Sequence, residues 1–164
     1  MHAARVTVHG APTAEHLRAA GALFACEPPL GRYTARVLEL VERARVHGTS
    51  DECGVLVATD PQGGDVLGAA TFGLTAGARG AGALHGVMVA ERARRSGVGR
   101  RLVAAVADSL RTRDARFLAA EVAADPRLDA YHALLAACGF VEEARVDGYF
   151  SDDVALVIWC RRWA

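Results

Sequence analysis

The sequence predicts one α/β domain, a sheet of about six or seven strands covered by about four helices. Strand-period and helix-period segments follow one another as β-α-α-β-β-β-α-β-α-β-β. The 164 residues, 52% of them hydrophobic, suffice for one core and are too few for two ordinary domains. Between Val87 and Leu110 an apolar strand passes through an Arg- and Gly-rich turn into an amphipathic helix, the kind of unit from which α/β sheets are built.

Taken in order, Arg5 to His9 alternates Val6 and Val8 with polar neighbours and reads as a first strand. Pro12 and Thr13 start a helix that runs to about Cys26, with Thr13 as a cap for Glu15 and His16, and Glu27-Pro28-Pro29 ends it. A second helix spans Tyr33 to Val46, because Tyr33, Val37, Leu40, Val41 and Ala44 form one stripe, and Gly48 closes it. Gly54 to Thr59 is a strand, and the turn signal Asp60-Pro61-Gln62-Gly63-Gly64 leads into another, Val66 to Leu74. Gly73, Gly77, Gly80 and Gly82 loosen the connection to a strand from about Ala83 to Val89. A charged loop, Ala90 to Ser96, follows. Gly97 and Gly99 then open a helix in which Val98, Leu102, Val106 and Leu110 recur every four residues. Phe117 to Ala123 is a further strand, and Asp125-Pro126 opens a helix with Leu128, Tyr131, Leu135 and Cys138 on one stripe. Gly139 stops that helix. Phe140 to Val146 and Val154 to Trp159 close the sheet as an antiparallel pair, joined by a loop holding Asp147, Gly148, Tyr149, Phe150, Asp152 and Asp153.

Nineteen basic and 19 acidic residues cancel, which argues against a general nucleic-acid binder. Every basic residue is Arg, and five lie between Arg92 and Arg101, a local charge suited to a small polyanion. Cys26, Cys53, Cys138 and Cys160 form no C-x-x-C pair and are expected to be reduced core residues of a cytoplasmic protein, without a zinc site. No secretory leader or spanning run is evident in the sequence, so neither secretion nor a membrane partner is expected.

A helix that begins at such a turn offers unpaired backbone N–H groups and the positive end of its dipole, which favour an anion. Glycines at 97 and 99 remove Cβ atoms that would hold a phosphate away. Arg94, Arg95 and Arg100 add charge at the same place. These residues point to a phosphate-bearing ligand. A P-loop needs lysine, of which the chain has none, and a dinucleotide fingerprint needs a small residue at 102, where Leu stands.

What remains is the spacing R-x-x-G-x-G, filled by Arg94, Gly97 and Gly99. With the preceding V-x-V strand end it resembles the acetyl-coenzyme A site of the Gcn5-related N-acetyltransferases, the GNAT superfamily. The segment Ala133 to Phe140, ALLAACGF, is similar to that family's helix running into Gly-Phe. The element order matches the GNAT domain along nearly the whole chain. The resemblance implies a single domain over 1–164 with a mixed, mostly antiparallel six- to seven-stranded sheet and a splayed central strand pair. It also implies an N-acetyltransferase that takes acetyl-CoA as cosubstrate, uses no metal, and acetylates a primary amine on a small molecule or a protein N-terminus by direct attack. The helical pair from 11 to 50 would cover the acceptor, and a homodimer is a family-level expectation.

In this likeness the pantetheine arm lies along Val87, Met88 and Val89, pairing with main-chain groups as another strand would. The pyrophosphate rests on Arg95, Ser96, Gly97, Val98, Gly99 and Arg100, and a main-chain N–H near Val89 stabilises the developing oxyanion. An amine of pKa ~10 is protonated at neutral pH, so a base is needed. His85 stands two and four residues before Val87 and Val89, hence on the same strand face. It is the only titratable side chain from Ala81 to Ala90. Arylalkylamine acetyltransferases resemble this chain in placing a histidine at that distance from the glycine loop. Glu121, on the neighbouring strand, is the second candidate base. A histidine packed in the sheet and a solvated strand-end carboxylate are the plain alternatives. The family's proton-donating tyrosine, four residues before the Gly of Gly-Phe, is Leu135 here. Tyr131, one turn earlier, is the candidate acid, or else a core-edge tyrosine. Tyr33 and Tyr149, with Glu27, Asp152 and Asp153, border the acceptor cleft in this fold, and acidic or aromatic groups suit a cationic amine. Two rivals stay open: a non-catalytic acyl-CoA-binding or regulatory module, and a nucleotide-binding protein that uses the loop for another phosphate.

Overall fold

In the computed structural model, residues 6–25, 31–62 and 64–163 are described. Arg5, Cys26, the Glu27-Pro28-Pro29 stop and Gly63 lie outside the described residues. The strands are β1 (Thr7–His9), β2 (Gly54–Thr59), β3 (Val66–Leu74), β4 (Ala81–Val89), β5 (Phe117–Ala123), β6 (Val141–Ser151) and β7 (Val154–Arg162). The helices are α1 (Ala14–Ala25), α2 (Gly31–His47), α3 (Val98–Arg111) and α4 (Asp129–Ala137). The strands make one sheet in the order β1-β2-β3-β4-β5-β7-β6. Every neighbouring pair is antiparallel except β4 and β5, which run parallel.

All six residues of β2 are buried, which is why its sequence is an unbroken apolar run rather than an alternation. The Asp60 carboxylate accepts from the Gly64 N–H at 2.9 Å and shapes the turn into β3. Thr13 caps α1, its hydroxyl accepting from the His16 N–H at 3.2 Å. The α3 stripe of Val98, Leu102, Val106 and Leu110 is fully buried against Phe72, Leu84 and Leu118 on one sheet face. The opposite face carries a second core, in which Leu17 and Phe24 of α1 and Val37, Leu40 and Val41 of α2 meet Val55, Val57 and Ala69. Each face thus has its own helical cover.

Pairing between β4 and β5 is confined to Ala81–Ala83 against Phe117–Ala119, after which the two strands part. Gly82 lets them meet. A Cβ there would stand 2.9 Å from Leu110 Cδ1 and 3.1 Å from the Phe117 carbonyl oxygen.

Several expected boundaries move. β4 starts at Ala81, ahead of the expected Ala83, because pairing with Phe117 and Leu118 recruits Gly82. Asp125-Pro126 opens a 3-10 turn, Pro126–Leu128, before α4 begins, and another short 3-10 turn, Glu91–Ala93, lies in the charged loop. β6 does not end at Val146 but continues to Ser151, with irregular register after Val146. Tyr149 and Phe150 are therefore strand residues, and Asp152-Asp153 alone make the turn. All eleven residues of β6 are exposed, so no alternation announces the strand. Among the described cysteines, Cys53 and Cys160 are buried, Cys138 is half-buried, and all three are free thiols. No described helix is long and apolar enough to cross a membrane.

Gly82→Ala should lower unfolding free energy by about 1–3 kcal/mol through overpacking against Leu110 and Phe117. Urea denaturation reads this as a reduced midpoint. A midpoint equal to that of the parent would mean that the strands are not held by close approach at Gly82.

Candidate active site

Where β4 and β5 part, a cleft of about 1180 Å³ opens, more than the ~300–1,000 Å³ of an ordinary small-ligand pocket. Its first wall is the free edge of β4. The Ala90 N–H donates to the Leu67 carbonyl at 2.9 Å, and Val89 stands opposite Gly68. Antiparallel alternation therefore turns Met88's main chain toward β3, and the N–H and C=O of Val87 and Val89 into the gap. The Val89 carbonyl accepts from Arg94 Nε at 3.3 Å.

The second wall is the start of α3. Arg95 and Gly97 are left-handed, at φ 61° and 90°, and no side chain caps the helix at Gly97. Its first intrahelical bond runs from the Arg101 N–H to the Gly97 carbonyl at 3.1 Å, so the N–H groups of Val98, Gly99 and Arg100 have no acceptor within the helix. Arg94, Arg95 and Arg100 line the cleft there. Ser96 lines it too, its hydroxyl donating to the Ala93 carbonyl at 2.6 Å and bracing the loop. At Gly99 a Cβ would come within 3.1 Å of Leu134 Cδ2 on α4. Free amides, the helix dipole and three guanidinium groups fit a phosphate-bearing ligand.

His85 lines the cleft, but not on the face expected for it. Thr71 of β3 pairs with Gly86 and Phe72 with Leu84, so His85 is the extra residue of a β-bulge. Alternation breaks there. Val87 and Val89 pack with the α3 core, whereas Gly86 faces Val37 and Phe24 on the α1–α2 side, and His85 goes with it beside Arg36. Burial, then the Arg36 charge, lower the His85 pKa below its ordinary 6.5. Glu121 shares that side, because Leu118, Ala120 and Val122 of β5 take the α3 side and alternation sends Glu121 the other way. It is exposed and lines the cleft from across the gap.

Leu135 is 0% exposed in the α3 core and does not reach the cleft. Tyr131 and Leu134 do. The Tyr131 hydroxyl is buried without a hydrogen-bond partner, and burial pushes its pKa well above the usual phenol range. An orphan buried hydroxyl is costly unless a ligand meets it. Its neighbour His132, missed in the sequence, anchors this end of α4. Trp159 Nε1 donates to His132 Nδ1 at 3.0 Å, so His132 Nε2 carries the proton donated to the Ala123 carbonyl at 2.9 Å.

Tyr33 borders the cleft as expected. Its hydroxyl donates to Asp125 Oδ2 at 3.0 Å. Asp125, 6% exposed, also accepts from the Arg127 N–H at 3.0 Å, from Arg127 Nε at 2.8 Å and from Nη2. The Arg127 bonds, with help from Tyr33, hold its carboxyl far below the usual range. Arg127 lies 5.7 Å over the Tyr33 ring and Phe150 packs edge-on against it at 5.6 Å. Tyr149 is 58% exposed, packs on Phe150, and is not part of the lining; nor are Asp152 and Asp153. Phe150, which lines the cleft, was hidden by reading the segment as loop. Arg36, Asp125 and Arg127 gave no signal, since their partners are distant in sequence. Among the described residues no three metal-ligating side chains converge.

The acetyltransferase (GNAT) family pattern matches residues 20–140. Among solved structures, a protein from Desulfovibrio desulfuricans assigned to the GNAT acetyltransferases superposes with a TM-score of 0.86 at 23% identity, covering 98% of this chain and 100% of that one. The ribosomal-protein-alanine N-acetyltransferase from Brucella melitensis gives 0.70 at 23% identity, over 96% and 99% of the two chains. A Salmonella typhimurium protein assigned as an acetyltransferase and solved with its cofactor acetyl-CoA gives 0.68 at 18%, over 96% and 93%. At these identities the likeness is one of fold. No curated protein sequence matches the chain.

A His85 that must be neutral to act sets an acidic limb in kcat/KM. Because its pKa is lowered, that limb lies below pH 6.5, separate from the limb set by the acceptor amine. A limb at or above pH 6.5 that persists in a His85→Gln variant would assign it to another group.

Proposed function

We propose, from the premise that this chain belongs to the acetyltransferase (GNAT) family, that residues 1–164 form one catalytic domain transferring the acetyl group of acetyl-CoA to a primary amine. One observation carries the reading: a single cleft joins the free edge of β4 to the uncapped start of α3. Bound there, acetyl-CoA supplies an acetyl group activated as a thioester. The N–H and C=O of Val87 and the C=O of Val89 pair with the pantetheine in the gap, and Met88 holds them in register by pairing with Ala69. The amides of Val98, Gly99 and Arg100, with Arg94, Arg95 and Arg100, hold the phosphates. Ser96 and Gly97 shape the loop.

His85 is the base. Kept neutral by burial and by Arg36, an imidazole nitrogen takes the proton that an ammonium must lose before its nitrogen can attack. Glu121, across the gap on the same sheet face, receives the ammonium and is the alternative base. The Val89 N–H lies where negative charge develops as the amine attacks. Tyr131 keeps its hydroxyl proton and donates it to the departing sulfur, which gives that buried group the partner it otherwise lacks. Tyr33 shapes the acceptor wall. The acceptor class includes small amines and protein N-termini; the Brucella neighbour is by its name a ribosomal-protein-alanine N-acetyltransferase. Free thiols at Cys53, Cys138 and Cys160 suit a reducing, cytoplasmic compartment, and exposed Val141, Val146 and Tyr149 on β6 suit the homodimer common in the family. A second reading, acyl-CoA binding without turnover, is favoured by Leu135 standing in the core where the family has its tyrosine.

Thermal unfolding with acetyl-CoA, CoA, ATP or NAD at equal concentration tests the ligand. Acetyl-CoA at a hundred times Kd should add ~2.7 kcal/mol, roughly 5–10 °C for a domain of this size. A larger shift with ATP or NAD would reject the coenzyme. Release of free CoA that depends on an added amine separates catalysis from binding. His85→Ala should then cut turnover at neutral pH by about 10²-fold or more, with acetyl-CoA affinity nearly unchanged. Unaltered turnover would move the base to Glu121 or to water.

A further inference from the structure

We infer that the acceptor is an amine carrying its own negative charge, of the α-amino-acid type with an apolar side chain, and that Arg36 receives its carboxylate. The inference rests on the acetyl-transfer reading and narrows it.

The acceptor must approach the gap from the α1–α2 side, since His85 and Glu121 lie there and the coenzyme groups occupy the other side and the loop. Among the described residues, five arginines line the cleft against one carboxylate, Glu121. Arg94, Arg95 and Arg100 belong to the phosphate loop, and Arg127 is bound bidentately to buried Asp125. Among the described residues, Arg36 is the cation of the acceptor wall that remains. It projects from the same face of α2 as Tyr33 and Val37, and its charge is felt at His85. Its ion-pair partner, Glu39, sits on the same helix at 2.8 Å, with side-chain exposures of 55% and 62%. Such a surface pair holds its members weakly, and Glu39 does not line the cleft.

A plain ammonium or a polyamine brought beside Arg36 meets a like charge. Asp152 and Asp153, which would attract a polycation, stand outside the cleft. A zwitterion is matched at both ends. Glu121 takes the ammonium next to His85, and the Arg36 guanidinium can grip a carboxylate through two parallel N–H groups. Between them, Phe24, Val37 and Phe150 offer an apolar surface to the side chain.

Isothermal titration of the full chain, first with CoA and then as the CoA complex, tests this. L-phenylalanine, L-methionine and L-leucine are compared with their carboxamides and with their decarboxylated amines. Each acid should bind about tenfold or more tightly than its neutral or decarboxylated counterpart. Arg36→Gln should bring that ratio near one without altering CoA affinity, and Arg36→Lys, which keeps charge but not the fork, should retain part of it. Equal or tighter binding of the amides or amines, a preference that survives Arg36→Gln, or no binding of any probe to the CoA complex would overturn the inference. Absence of CoA binding in the first titration would instead overturn the acetyl-transfer reading beneath it.

Discussion

Strands β4 and β5 run side by side for three residues, Ala81–Ala83 against Phe117–Ala119, and then separate within the interior of the sheet. Backbone N–H and C=O groups facing such a gap are normally satisfied by a neighbouring strand, and leaving them without a partner away from water is unfavourable. In this fold the strands are forced apart after Ala83 while the sheet closes around them through β3 and β7. The edge facing the cleft can therefore pair with an extended, hydrogen-bonding ligand, and it lies beside a helix end that favours an anion. A molecule with a peptide-like arm and a phosphate head answers both.

The bulge at His85 decides how the two sides of the gap are used. By inserting one residue into β4 it reverses the alternation, so that Val87 and Val89 pack toward α3 while His85 and Gly86 turn to α1 and α2. Glu121 reaches the α1–α2 side without a bulge, through ordinary alternation along β5. Tyr131 completes the arrangement from α4, held by the link from Trp159 through His132 to the Ala123 carbonyl.

Much of this was legible in the residues. β2, β3 and β5 coincide with their expected bounds because turn signals and apolar runs bracket them, and the loop from Arg94 to Arg100 announces itself by composition. The shared face of His85 and Val87 was misjudged, because a one-residue bulge leaves no compositional trace and appears only when β3 and β4 are paired. β6 beyond Val146 escaped notice for a different reason: a strand exposed on both faces has no period to detect. The contacts of Asp125 with Tyr33, 92 residues away, and of Trp159 with His132, 27 residues away, depend on the closed sheet. Arg36 carries no local signal because its place in the cleft depends on how α2 packs on the sheet.

The two helical covers form separate cores on opposite faces of the sheet, one with α3 and one with α1 and α2. Substitutions in one should combine almost additively with substitutions in the other, as distant sites do. The cover built from α1 and α2 can then drift while the α3 core and the uncapped helix start stay intact. Such a division makes the domain evolvable: one cover can be rebuilt while the other is inherited unchanged.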